Sequence, residues 1–253
     1  MFMRLLQVRI KPDSVASLPA LYNAKVLPEL QKSGGCLYGS LIRSVRHPEE
    51  CISMTLWDTR EHSEAYEQSG IFQKLLQQAE SHFSDSLEWR VQLSKDLTLE
   101  YSPLQDEPVV NSYRVVSAST DGSVQTLGTD RMYVRILSIT LHPGRLEEFA
   151  HLYNEQILTT LRSVQGCRYA FLTEGIEERN EVLSVTIWNS KQDADRYELT
   201  GIFDQLKMKV QHTFSELYQW RLVADGGLDK RMATSDDLAL VEYNVVAGKS
   251  FSS

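Results

Sequence analysis

The sequence predicts an α+β fold in which two ferredoxin-like β-α-β-β-α-β repeats pack sheet to sheet as one barrel inside a single chain. Three observations carry this prediction. The chain repeats itself without a gap, both copies switch hydrophobic period in the same order, and the third strand of each copy has two unlike faces.

The repeat comes first because it organises everything else. Pro12 matches Pro143, an offset of 131, and the same offset carries Leu21-Tyr22-Asn23 onto Leu152-Tyr153-Asn154 and Gly35-Cys36 onto Gly166-Cys167. It also carries Tyr38 onto Tyr169, Ser53, Thr55 and Trp57 onto Ser184, Thr186 and Trp188, Gly70-Ile71-Phe72 onto Gly201-Ile202-Phe203, and Trp89-Arg90 onto Trp220-Arg221. Two copies only, with rare residues in register, mean duplication of a folding unit rather than a solenoid.

Each copy opens with a strand in which Leu6, Val8 and Ile10, or Leu137, Ile139 and Leu141, alternate before Pro12 or Pro143. A helix follows, with Leu146, Phe149, Tyr153, Ile157 and Leu161 on its apolar face in copy two and Gly166 as its stop. Leu18, Leu21 or Tyr22, and Leu30 take these places in copy one, where Pro28 is expected to bend the helix, a feature copy two lacks because it has Thr159. A hairpin comes next, about 36–45 with 51–57 and 167–174 with 182–188. The second helix runs from near Arg60 to Asp85, broken at Ser69-Gly70, and a last strand is expected over Leu87 to Leu93 and over Tyr218 to Val223.

With both helices on one side, each four-stranded sheet has a bare face that must be wetted or covered. On the third strand Ile52, Met54 and Leu56 are read as the helix side and Ser53, Thr55 and Trp57 as the bare side, with Ser184, Thr186 and Trp188 in copy two. Packing the bare faces together encloses a space lined by hydroxyls and tryptophans. The division along the chain is repeat one over 1–95, a linker over 96–130 with an added strand near 112–117, repeat two over 131–225, and an extension over 226–253 with a strand near 240–246. The added strands are Ser112-Tyr113-Arg114-Val115-Val116-Ser117 and Glu242-Tyr243-Asn244-Val245-Val246-Ala247, alike at an offset of 130 and suited to covering a sheet edge.

Composition narrows the function classes. Of 253 residues, 26 are Lys or Arg and 34 Asp or Glu, a net charge of −8 that disfavours a nucleic-acid partner. Apolar runs are strand-sized, well short of the roughly 20 residues of a spanning helix, so no membrane partner is expected. The Met1-Phe2-Met3-Arg4-Leu5-Leu6 start reads as a strand rather than a leader, and three cysteines, Cys36, Cys51 and Cys167, fit a reducing compartment; the expected location is the cytoplasm.

These elements resemble the antibiotic biosynthesis monooxygenase domain of the dimeric α+β barrel superfamily. The resembling marks are a strand ending in Pro, a helix ending in Gly35-Cys36 or Gly166-Cys167, a strand closing on Trp57 or Trp188, and a helix reading Tyr66 through Phe72 or Tyr197 through Phe203. The resemblance covers about three quarters of the chain. It implies a barrel normally made by two chains and here made by two copies in one, as a monomer (a pseudo-dimer) or a homodimer of such chains. It further implies cofactor-independent oxidation of polycyclic phenols and quinols or haem degradation. The family's strand tryptophan, which lines the ligand cavity in several members, corresponds to Trp57 and Trp188. Tyr66 and Tyr197 stand near a histidine of many members, and its replacement argues against haem-degrading chemistry.

The candidate site follows. Tyr66 and Tyr197 are the proton-handling or hydrogen-bonding groups. Trp57 and Trp188 would stack on a flat ring, with Ser53, Thr55, Ser184, Thr186, Asn23 and Asn154 as further binding residues. The six histidines, His47, His62, His82, His142, His151 and His212, have no histidine at the matching place in the other copy, so no metal site made twice by symmetry is expected; His82 or His212 is the candidate ligand should one asymmetric haem bind. Cys36 and Cys167 are read as structural, and Arg90 and Arg221 as surface ion-pair partners. The function that follows is a cofactor-independent monooxygenase-like protein, with no cofactor, holding an aromatic or quinol small molecule in the barrel. The alternatives are a non-catalytic ligand-binding or assembly module of the same fold and, third, a haem-binding protein. Divergence between the copies, such as Ser40 against Phe171, predicts a lopsided site.

Overall fold

The computed structural model describes residues 1–84, 88–93, 99–104, 109–118, 132–176, 180–215 and 240–251. Copy one supplies β1 (Phe2–Arg9), α1 (Ser17–Leu21), α2 (Leu27–Lys32), β2 (Cys36–Ser44), β3 (Glu50–Trp57), α3 (Arg60–Gln68) and α4 (Ile71–Ala79). Beyond it come β4 (Glu88–Leu93), β5 (Leu99–Leu104) and β6 (Val109–Ala118). Copy two repeats the order as β7 (Tyr133–Thr140), α5 (Leu146–Leu152), α6 (Thr159–Ser163), β8 (Cys167–Gly175), β9 (Glu181–Trp188), α7 (Lys191–Leu199) and α8 (Ile202–Val210), and β10 (Leu240–Ser250) follows.

Eight strands close into one antiparallel barrel in the order β1-β3-β2-β10-β7-β9-β8-β6. Within copy one, Leu5 faces Met54 and Met54 faces Ser40; within copy two, Ile136 faces Val185 and Val185 faces Phe171. The copies are joined by β6, which pairs with β1 on one side and β8 on the other, and by β10, which pairs with β7 and β2. The strands read in the sequence as edge covers are therefore the two seams of the barrel, and each is the fourth strand of its sheet. The segment expected to be that fourth strand forms β4 instead, which pairs with β5 in a separate two-stranded sheet. Its counterpart over 218–223, with Trp220 and Arg221, lies outside the described residues, as do linker residues 119–131.

The interior is filled from both copies, by Met3, Leu5, Ile52, Met54 and Leu56 on one side and Val134, Ile136, Phe171, Val185 and Ile187 on the other. A closed eight-stranded barrel is about wide enough for side chains to fill. Tyr169 and Phe171 stack with ring centroids 6.4 Å apart, and Phe171 occupies the position that in copy one is the small Ser40. Tyr38 and Ser40 bring two hydroxyls into this space without a well-directed hydrogen bond, and burial pushes the Tyr38 phenol up to about 12.

This reverses the facing expected for β3 and β9. Ile52, Met54 and Leu56 point into the barrel, whereas Ser53, Thr55 and Trp57 lie under the helices. The reason is that a buried interior offers few partners for a hydroxyl, so the wholly apolar face of these two strands goes there. The outer face can afford polar groups because the helices bring partners down to it, Tyr22 reaching Ser53 at 2.8 Å and Tyr153 reaching Ser184 at 2.8 Å.

The first helix of each copy is interrupted by a π-turn, Tyr22–Val26 between α1 and α2 and Tyr153–Leu158 between α5 and α6. The irregularity expected of copy one alone is thus shared, and Pro28, in the first turn of α2, is not its cause. The break in the second helix falls at Gly70 and Gly201, whose φ values of 77 and 74 suit glycine. Thr59 and Ser190 cap the helices that follow β3 and β9, accepting from the backbone N–H of His62 and Asp193 at 3.2 Å.

Interior packing sets the stability of the barrel. Phe171→Ala is expected to lower unfolding free energy by about 3–5 kcal/mol. The exposed Asn154→Ala should change it by less than about 0.5 kcal/mol. Urea denaturation followed by circular dichroism measures both.

Candidate functional site

The outer face of the barrel and the helices over it leave one pocket in each copy. They enclose about 70 Å³ in copy one and about 60 Å³ in copy two. Both form where the π-turned helix and α4, or α8, diverge from the sheet, and their walls are mainly aliphatic and phenyl: Leu6, Val8, Leu30 and Phe72 in copy one, Leu137, Ile139, Leu161 and Phe203 in copy two.

A cation stands in each. Arg4 on β1 and Arg135 on β7 occupy matching positions and are 4% and 3% exposed. Arg4 is directly across from Thr55, and Arg135 from Thr186, so these side chains are neighbours on the sheet face. The Arg4 guanidinium lies 4.3 Å from the Phe72 ring centroid and pairs with Glu67 at 3.2 Å; Arg135 lies 6.0 Å from Phe203 and bonds Glu198 at 3.0 Å. Glu67 is half exposed, and the pairing leaves N–H groups over: Arg4 Nη2, the atom nearest Glu67, makes no well-directed hydrogen bond, and neither Arg4 Nε nor Arg135 Nε makes one. Burial lowers the Arg4 pKa from its ordinary value while Glu67 acts in the other direction. A guanidinium keeps its charge nonetheless.

The other polar groups are donors. Tyr66 and Tyr197 line the pockets, and burial raises both phenols far above the ordinary tyrosine range, with Arg4 and Arg135 pulling modestly the other way. They are neutral O–H donors at any pH near 7. Trp57 Nε1 donates to Thr55 Oγ1 at 2.9 Å, and Trp188 does the same to Thr186, which leaves each threonine hydroxyl free to donate onward. Within the Tyr22–Ser53 pair one hydroxyl accepts, so one proton is again left over. Cation and hydroxyls together suit an acceptor oxygen, best an anionic one.

Of the residues singled out in the sequence, Tyr66, Ser53, Thr55, Tyr197, Ser184 and Thr186 meet in these pockets. The barrel interior, where they were expected, does not hold them. Trp57 and Trp188 are fully buried behind the pocket wall, 5.2 Å from the Tyr66 ring and 5.1 Å from the Tyr197 ring. They hold the tyrosines rather than line the space. Asn23 and Asn154 are exposed, on the solvent side of their π-turns. Arg4, Arg135, Tyr22, Tyr153, Phe72 and Phe203 went unremarked as site residues. Their signal was an arginine inside an alternating apolar strand, repeated at the offset of the duplication.

Neither His82 nor His212 lines either of these two pockets, and His212 bonds Glu148 at 3.0 Å. Among the described residues there is no cluster of three or more His, Cys, Asp or Glu fit to hold a metal, and no helix long and apolar enough to cross a membrane. Burial pushes the thiols of Cys36 and Cys167 up to about 12 and that of Cys51 to about 11, as inert structural cysteines require.

A family model described as antibiotic biosynthesis monooxygenase matches residues 1–78 and 132–206, one match in each copy. Among curated protein sequences nothing matches the chain. Solved structures share the fold over nearly the whole length. A candidate monooxygenase from Fusobacterium nucleatum is 9% identical with a TM-score of 0.69, covering 98% of this chain and 94% of its own. Another from Lactobacillus acidophilus is 8% identical with a TM-score of 0.63, covering 99% of each chain. An anthrone oxidase-like protein is 13% identical with a TM-score of 0.56, covering 100% of this chain and 94% of its own.

The pocket tyrosines give the site a pH signature. Tyr22, Tyr66, Tyr153 and Tyr197 have folded pKa values above the ordinary value of 10.0. The unfolded chain therefore loses protons from about pH 10 that the folded chain keeps, so their contribution is full below pH 10 and is lost as pH rises beyond it. Absorbance in the near ultraviolet, where phenolate absorbs, should show these four ionising only together with unfolding, measured by circular dichroism. A gradual rise in the folded protein below pH 10 that Tyr66→Phe with Tyr197→Phe diminishes would exclude the burial described, since the chain has eleven tyrosines and the others are unchanged in that variant.

Proposed function

The chain belongs to the antibiotic biosynthesis monooxygenase family, and from that premise we propose that each copy binds an electron-rich aromatic phenol or quinol between sheet and helices and exposes it to dioxygen without a resident cofactor. The observation that carries this reading is the buried arginine, Arg4 or Arg135, with incompletely satisfied N–H groups in a pocket otherwise walled by apolar side chains.

A cation in low dielectric favours the anion beside it. A phenol, or a methylene acidified by flanking aromatic rings, loses its proton more readily next to Arg4 than in water, and the resulting oxyanion takes the guanidinium N–H groups. Tyr66, held neutral by burial, donates a further hydrogen bond to that oxygen, and so does Thr55. The role of Tyr66 and Tyr197 is therefore donation, not abstraction; the arginine makes the substrate acidic enough to ionise.

The substrate anion then reduces dioxygen itself. For an activated methylene, one molecule of substrate and one of dioxygen give one ketone and one water. Both C–H bonds of the methylene break, one oxygen atom stays on that carbon as the carbonyl, and the other leaves as water with both protons. The carbon is oxidised by four electrons, and dioxygen accepts all four. The apolar walls keep bulk water from the anion while it reacts. An anthrone is such a carbon acid, and the anthrone oxidase-like neighbour carries that chemistry in its name.

Dioxygen uptake with anthrone and with 1,4-dihydroxynaphthalene, in the presence of a chelator, tests the proposal. Protein-dependent uptake is expected. Arg4→Met with Arg135→Met should cost about 100-fold or more, the scale of losing an oxyanion donor. Tyr66→Phe with Tyr197→Phe should cost about 10-fold. Binding without uptake assigns the protein to the non-catalytic alternative, and uptake that ignores both arginines sinks the pocket assignment.

A further inference from the structure

The two pockets share every polar group described so far, yet their walls differ at five matching positions. Val8 is Ile139, Leu18 is Phe149, Val26 is Ile157, Ala79 is Val210, and Leu76 is Lys207. The first four exchanges put a larger side chain into the second pocket. The fifth puts a lysine, its ammonium paired with Asp204, where the first pocket has a leucine.

The fold does not require a lysine at 207, because Leu76 fills the same place in copy one. Its side chain is 10% exposed, and its Nζ lies 3.0 Å from Oδ1 of Asp204, itself 20% exposed. Asp204 in turn replaces Gln73. A mostly buried ammonium is costly unless paired, and in this copy a carboxylate appears with it. Lysine and aspartate thus occur together in one copy, beside an arginine present in both.

We propose that the C-terminal pocket selects an aromatic ring bearing a second acidic group, which binds Lys207 in place of Asp204 while the ring oxygen takes Arg135, and that the N-terminal pocket discriminates against that group. This rests on the reading of the pockets as aromatic binding sites. Asp204, near the surface, turns to water when the ligand carboxylate displaces it.

Two probes that differ by one carboxylate, 1-naphthol and 1-hydroxy-2-naphthoate, separate the possibilities by calorimetric titration of the full chain. The naphthoate is expected to favour one site per chain. Replacing Asp204→Gln and Lys207→Leu together, which copies the first pocket's Gln73 and Leu76, should weaken the naphthoate about tenfold and change 1-naphthol by less than about twofold. The reciprocal exchange, Gln73→Asp with Leu76→Lys, should create a second naphthoate site, and it carries the test alone if the first variant does not fold. Binding of both probes with unchanged preference in the folded variants overturns this inference and leaves the pocket reading intact. Failure of both probes to bind the native chain overturns the two together.

Discussion

Closure of the barrel is the constraint on which the rest depends. Once β6 joins β1 to β8 and β10 joins β2 to β7, the sheet has no edge and its concave side is buried. Side chains there are mainly apolar, Tyr38 and Ser40 being exceptions, and Ile52, Met54 and Leu56 are drawn inward with Leu183, Val185 and Ile187. Strand alternation then forces the intervening residues outward. Arg4, Ser53 and Thr55 reach the helix layer because their neighbours fill the barrel, and two polar-floored pockets result from a rule about the apolar interior.

Much of this was legible in the sequence. An ungapped repeat fixes two copies of one fold, and hydrophobic period places β1 to β3, β7 to β9 and the helices between them within a few residues, though it did not mark β5. Which face of β3 turns inward was not legible, because a period of two separates the faces without saying which meets the core. Ser-x-Thr-x-Trp suits a cavity wall as well as a helix seat. Only closure decides, and closure is made by Val109–Ala118 and Leu240–Ser250, pairing with residues far away in the chain. The strand over Glu88–Leu93 was misassigned for the same reason: its local pattern is a good strand, but the place beside β1 goes to β6. Arg4 escaped notice because a lone arginine near a strand start usually lies in water; its burial depends on Phe72 and Glu67, more than sixty positions away.

Divergence between the copies has a physical pattern. Arginine, glutamate, phenylalanine and the paired hydroxyls match one to one, whereas aliphatic walls have drifted. An aliphatic exchange alters volume by a methyl group or two and a neighbour repacks. Loss of Glu67 or Ser53 leaves a buried cation or hydroxyl unpaired, which costs more. In the barrel interior the same tolerance lets Ser40 and Phe171 occupy matching places, the large residue taking room that the small one leaves. The polar set is therefore the resistant part of the duplication, and drift of the walls can reshape each pocket without dismantling it.

The buried tryptophans show how a residue outside the pocket contributes to it. Trp57 brings an N–H that must be satisfied, and Thr55, two residues back on the same strand face, accepts it at 2.9 Å. That bond fixes the indole, and the fixed indole supports the Tyr66 ring from behind at a centroid distance of 5.2 Å. Phe72 bounds the tyrosine on another side at 6.2 Å while carrying the Arg4 guanidinium at 4.3 Å. Phenol, hydroxyl and cation are thereby held by one connected group of rings, so their relative positions are set before any ligand arrives. Orientation established in advance costs no ordering entropy when an oxyanion binds. A smaller ring at Trp57 would leave every pocket-facing atom in place chemically, yet loosen the geometry that lets them act on one oxygen.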